Sequence, residues 1–271
     1  MDLNLRESNL RNPNYDRHIP RKRFGQHFLH DQHVIQRIVS AINPKPTDHL
    51  IEIGPGQGAL TLPVLKYNPH LEVIELDRDL IAHLEALHYP DLQIHCADVL
   101  KFDIATLKTD KRLLRIFGNL PYNISTPLIF HLLTFTQVIS DMTFMLQKEV
   151  ADRLAAIPAA EAYGRLSVMV QYHCQIELLF DVTPSAFIPP PKVQSSIIRL
   201  TPFQVYPLIA KNYAKFKDIV KHAFGQRRKT LRNSLRDIIT HAQWEKSGIK
   251  PTLRAENLSI KDFVHLANSL E

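Results

Sequence analysis

A short apolar run, His49-Leu50-Ile51-Glu52-Ile53, empties directly into Gly54-Pro55-Gly56-Gln57-Gly58. A buried strand followed by alternating glycines must turn sharply at its end, and it brings backbone N–H groups close to whatever sits beyond that end. Whatever else the chain does, it must place this turn at an accessible sheet edge. The flanking sequence supplies the sheet. Residues 71–76, 92–97, 113–117 and 142–146 read as further short buried strands. Residues 59–67, 77–88 and 127–133 have helical spacing between them. Ahead of the loop, Asp31 caps a helix with Val34, Ile35, Ile38, Val39 and Ile42 on one face, ending before Pro44.

Strands alternating with helices imply an α/β fold, a mostly parallel sheet covered on both faces. Gly54, Glu75, Asp98 and Asn119 all fall at strand C-terminal ends, the edge where open α/β sheets bind ligands. Residues 164–173 are helical, and 177–182 and 195–200 strand-like, with a rigid Pro-rich loop over 184–193. Composition shifts near 202–207, after which 212–271 reads as amphipathic helices broken near Gly225 and Gly248. The expected division is a basic tail over 1–24, an α/β domain over 25–204 and a smaller all-helical domain over 205–271.

Charge follows that division. Residues 1–24 carry six Lys/Arg against three Asp/Glu, residues 25–204 carry 14 against 18, and residues 205–271 carry 13 against six. Basic ends on a mildly acidic body point to a polyanion partner. Arg21, Lys22 and Arg23 are the candidates in the tail. Arg227, Arg228, Lys229 and Arg232 are those in the helical part, with Leu231 and Leu235 to pack inward. The competing reading is a solvated face. Two distant cysteines, Cys96 and Cys174, give neither a disulfide framework nor a zinc set, so a reducing, cytoplasmic setting and no metal are expected. No apolar run nears the roughly 20 residues of a membrane span, and the first two dozen residues lack the apolar core of a secretory signal.

The chemistry is concentrated in two motifs. In Glu52-x-Gly54-x-Gly56-x-Gly58 the third glycine comes one residue too early for a dinucleotide fingerprint. The spacing resembles the first motif of S-adenosylmethionine (SAM)-dependent methyltransferases. Glu75 is placed to hold ribose hydroxyls, with Asp77 and Asp79 as rival acids. Asp98 is either an acceptor for an adenine amine or a turn cap. About sixty residues beyond the glycine loop comes Gly118-Asn119-Leu120-Pro121-Tyr122. There an amide oxygen can accept from an exocyclic amine, a ring can stack on a base, and Pro121 fixes the turn between them.

With Gly25-Gln26-His27-Phe28-Leu29, Phe187-Ile188-Pro189-Pro190-Pro191-Lys192-Val193 and Gln226-Arg227-Arg228-Lys229-Thr230-Leu231-Arg232, these motifs run in an order that resembles the bacterial KsgA (RsmA) family from about residue 20 to 270. That family comprises dimethyladenosine transferases of small-subunit ribosomal RNA. The resemblance implies a Rossmann-like SAM-dependent methyltransferase domain and transfer of four methyl groups to two adjacent adenosines in the 3′-terminal hairpin of 16S rRNA. The expected partner is 16S rRNA within a 30S subunit or its precursor, and the expected state is a monomer. His27, Leu29, Gly54, Gly56, Gly58, Glu75, Asp98 and Asn119 are the implied cofactor contacts, His27 standing where relatives often carry Asn. Asn119, Leu120, Pro121, Tyr122 and Phe187 are the implied catalytic set, with Tyr122 and Phe187 sandwiching the base unless Phe187 is a core residue. An erythromycin-resistance-type enzyme, an assembly factor and a DNA adenine methyltransferase are the rival readings.

Overall fold

The structure is a computed structural model that describes residues 27–226 and 228–270. The candidate basic residues Arg21, Lys22, Arg23 and Arg227 lie outside the described residues.

Five parallel strands form the sheet that the sequence implies: β2 (His49–Ile53), β3 (Glu72–Glu75), β4 (Gln93–Cys96), β5 (Leu114–Asn119) and β6 (Ile139–Gln147). Two more complete it, β9 (Ser195–Pro202) antiparallel to β6, and β7 (Cys174–Val182) antiparallel to β9. The order is β4-β3-β2-β5-β6-β9-β7. The chain builds outward from β2 in one direction through β3 and β4, then returns to β2's other side with β5. The glycine loop therefore leaves the sheet where the strand order reverses, which opens a crevice above that point. A separate two-stranded ladder joins β1 (Phe28–Leu29) to β8 (Phe187–Ile188).

Alternation along β2 divides the core in two. Leu50 faces a layer containing α1 (Gln32–Ile42) and α2 (Thr61–Leu65), through Ile35, Val39 and Val64. Ile51 and Ile53 face the other layer, with Leu128 and Leu132 of α4 (Ser125–Leu132) and Leu154 of α5 (Lys148–Ala155). Asp31 caps α1 as its position predicts, accepting from the N–H groups of His33 and Val34. α3 (Arg78–Glu85) follows β3, capped by Asp77. Asp77 is thus a helix cap, which leaves Glu75 as the acid at the end of β3. At the base of the sheet Arg115 pairs with both Asp141 and Asp48 and donates to the Ile42 carbonyl, tying β5, β6 and the end of α1 together.

The helical half comprises α7 (Tyr213–Ala223), α8 (Leu231–Ser234), α9 (His241–Ser247) and α10 (Ile260–Ser269) around Phe216, Val220, Trp244 and Phe263. Its core extends past the expected boundary near 204. α6 (Arg165–His173) turns Leu166 and Val170 to the sheet and Val168, Met169 and Tyr172 to the helices.

At the α6 end, His173 is buried between two hydroxyls, with Nδ1 2.8 Å from Tyr206 Oη and Nε2 2.7 Å from Tyr213 Oη. Burial pushes its imidazolium down to about 4. An unfolded chain takes up that proton near pH 6.5, well before the folded one does. Stability is therefore full above about pH 6.5 and falls as pH drops towards 4, by about 3 kcal/mol from this group alone. Urea unfolding from pH 7 to pH 5 should show that decline, and His173→Gln should flatten it.

Candidate functional site

A cavity of about 280 Å³ opens at the C-terminal ends of β2, β3, β4 and β5. Its wall carries Gly54 and Gly56 from the loop after β2, Glu75 from β3, Asp98 beyond β4 and Asn119 from β5. Parallel register aligns these ends. Gly54 N–H donates to the Ile74 carbonyl at 3.0 Å, and Ala97 N–H to that of Glu75 at 3.0 Å. Gly54 makes its turn at φ +67°, a left-handed conformation that a side chain would strain.

Glu75 is built into this edge. Oε1 accepts from the N–H groups of Leu76 and Asp77 at 2.8 and 2.9 Å, and Oε2 from Gly56 N–H at 3.4 Å. Burial nevertheless outweighs these three donors and raises its titration above the ordinary carboxylate range. The carboxyl is thus pre-oriented, with lone pairs left for hydroxyl donors. Asp98 is a turn cap that also lines the cavity. Oδ1 accepts from Leu100 N–H at 3.1 Å, closing a turn, while the residue stays on the cavity wall.

Asn119 is oriented by a residue distant in sequence. Its Nδ2 donates to the His27 carbonyl at 3.2 Å, and its Oδ1 accepts from no described residue. Gly118, immediately before it, lies against β2. A Cβ at that position would sit 2.3 Å from the Ile53 carbonyl oxygen, so only glycine lets β5 run close enough to place Asn119 at the cavity. Leu120 is buried, Pro121 turns the chain, and Tyr122 returns to the wall. The Tyr122 hydroxyl lies 2.8 Å from Ser195 Oγ, and its ring centroid 5.7 Å from that of His27. Burial raises the phenol's titration further, so Tyr122 acts as a neutral aromatic surface.

The β1–β8 ladder brings His27 and Leu29 to the mouth of the same cavity, with His27 Nδ1 2.7 Å from the Pro189 carbonyl. Two of the expected site residues lie off the cavity wall. Phe187 is only 2% exposed and packs in the core with Leu29, Ala186 and Ile197, off the cavity wall. Its pairing with Leu29 turns it inward and leaves Ile188 outward at 59% exposed, so the partner ring to Tyr122 is missing from this arrangement. Gly58 is also off the wall, facing Leu62 and Leu84 where the loop enters α2. Missed from sequence were Phe28, whose ring supports Gly56, and Ser195, which fixes Tyr122. Phe28 lay inside a recognised motif. Ser195 carries no local signal, since its role comes only from the pairing of β9 with β6.

Arg228, Lys229 and Arg232 are exposed around α8. Lys229 also lines a second, more polar cavity with Arg165, Lys221 and Arg236. Among the described residues no His/Cys/Asp/Glu group has the arrangement of a metal site.

Residues 17–271 match the profile of the ribosomal RNA adenine dimethylase family. The chain is 54% identical to ribosomal RNA small subunit methyltransferase A of Saccharophagus degradans, over 93% of this chain and 95% of that one. It is 50% identical to the same-named protein of Acinetobacter baylyi, covering 100% and 99%. Among solved structures, a dimethyladenosine transferase from Plasmodium falciparum superposes with a TM-score of 0.75 at 26% identity, covering 89% of this chain and 96% of that one. The 23S rRNA methyltransferase ErmE shares the fold, with a TM-score of 0.66 at 23% identity over 90% and 99% of the two chains.

Proposed function

This chain belongs to the ribosomal RNA adenine dimethylase family, and from that premise we propose that it transfers methyl groups from SAM to the N6 amines of two adjacent adenosines in the 3′-terminal hairpin of 16S rRNA. One observation carries the reading to this chain's own residues. Asn119 spends its donor on the His27 carbonyl and keeps its acceptor at a cavity edged by carboxylates.

The residues present fit the cofactor. Glu75 would hold the ribose hydroxyls and Asp98 the adenine amine, with His27, Leu29, Gly54 and Gly56 completing the enclosure. SAM supplies an electrophilic methyl on a sulfonium. Asn119 Oδ1 and the Leu120 carbonyl accept the two hydrogens of the target amine, which turns the nitrogen lone pair out of ring conjugation. Tyr122 gives the base a face to stack on once it has left its own stack. Alignment by fixed acceptors supplies the acceleration, and the nitrogen's surplus proton departs after transfer, so a strong general base is unnecessary.

Arg228, Lys229 and Arg232 would position the phosphate backbone without reading sequence. The natural substrate in this reading is rRNA within a 30S subunit or precursor, met by a monomer in the cytoplasm. No described helix is long and apolar enough to cross a membrane. Tritiated-methyl transfer to unmethylated 30S particles, followed by nucleoside analysis, tests the function. Dimethyladenosine is the expected product, and label arising only from isolated 50S particles would reject the assignment.

A further inference from the structure

Glu52 has no role in the chemistry above, yet it lines the same cavity. It is 1% exposed, in the middle of the sheet between β3 and β5. Thr61 Oγ1 donates to its Oε2 at 2.6 Å, and Oε1 has no donor among the described residues. No described Lys, Arg or His pairs with it, and the charge that acts on it is another carboxyl, Glu75. The other titratable groups on this wall are Asp98, His27 and Tyr122. A carboxylate withdrawn from water with one hydrogen bond and no cation is costly, and such a group keeps its proton instead. Burial pushes Glu52 up to about 8.

We propose that Glu52 is the counter-charge for the cationic part of the bound cofactor, and that it gives up a proton to solvent when that cation enters the cavity. The proposal rests on reading this cavity as the cofactor site. The O–H bond of Glu52 breaks, the proton leaves to the buffer, and the carboxylate keeps its bond from Thr61 while facing a positive group. Binding that releases a proton strengthens as pH rises, until the free carboxyl is already ionised. Affinity should therefore climb up to about tenfold per pH unit below pH 8 and level off above it.

Titration calorimetry of the full chain with SAM at pH 7, in phosphate and in Tris, counts protons from the dependence of heat on buffer. Close to one proton per cofactor is expected. Glu52→Gln should still bind, weakened by about tenfold or less, with a count near zero and no pH dependence of affinity below pH 8. S-adenosylhomocysteine carries the ammonium but no sulfonium. Release with both ligands assigns the ammonium, and release with SAM alone assigns the sulfonium. 5′-Methylthioadenosine carries neither charge and should bind without release; a proton lost there overturns the proposal. Should Glu52→Gln fail to fold, Thr61→Val keeps the carboxyl and should move the affinity plateau to higher pH, an unmoved plateau counting against it. Wild-type binding without proton release, or full release from Glu52→Gln, also overturns the proposal and leaves the cofactor reading intact. Failure of the wild type to bind SAM removes that reading itself.

Discussion

An Asn119→Ala protein should fold normally and bind SAM within about tenfold of wild type, yet lose on the order of 10³ in kcat on unmethylated 30S particles. The substitution deletes the one side-chain oxygen that the structure holds ready at the cavity edge, oriented by the His27 carbonyl. It leaves the carboxyl of Glu75 and the glycine loop untouched. Single-turnover methyl transfer separates the loss from any change in RNA affinity. A kcat reduced less than tenfold would show that the amine is steered by other groups. Sedimentation of the same variant with 30S precursors would show particle binding to be separable from methyl transfer.

Gly118→Ala should be the most damaging small substitution in the sheet. Its methyl would lie 2.3 Å from the Ile53 carbonyl oxygen and 3.3 Å from the carbonyl carbon, both backbone atoms of the neighbouring strand β2. Neither can move aside as a side chain would, so β5 must shift away from β2 along the sheet's middle. A loss of about 3 kcal/mol or more is expected, at or beyond the upper end of the usual cost of core overpacking. Urea denaturation should show a midpoint well below wild type, and any folded protein should have little activity because Asn119 moves with its strand. An unchanged midpoint would mean that the strand spacing is softer than the geometry states.

The parallel sheet was legible because each strand is an apolar run ending in a residue that cannot be core, such as Gly54, Glu75 or Asn119. The same logic located most of the candidate cavity wall. It failed where a side chain's direction depends on partners distant in sequence. Phe187 and Ile188 are equally apolar, and only the pairing with Phe28 and Leu29 decides which one turns inward. Glu52 shows the same limit. Inside an apolar strand it reads as part of the motif, and its burial with Thr61 alone emerges only when β3 and β5 close on either side. α5 escaped because its buried Val150, Ala151 and Leu154 are too few to stand out among charged neighbours. The helical half was legible as amphipathic periodicity, whereas its reach back to α6 was not, because one helix serving two cores has no single apolar stripe.

Because α6 has one flank in each core, neither half possesses a finished interior without it. Heat or denaturant that loosens the helices strips a wall from the sheet, and fraying of the sheet removes the floor on which Phe216 and Phe263 rest. The two halves should accordingly melt as one cooperative body, which would keep the exposed basic residues around α8 at a fixed distance from the cavity.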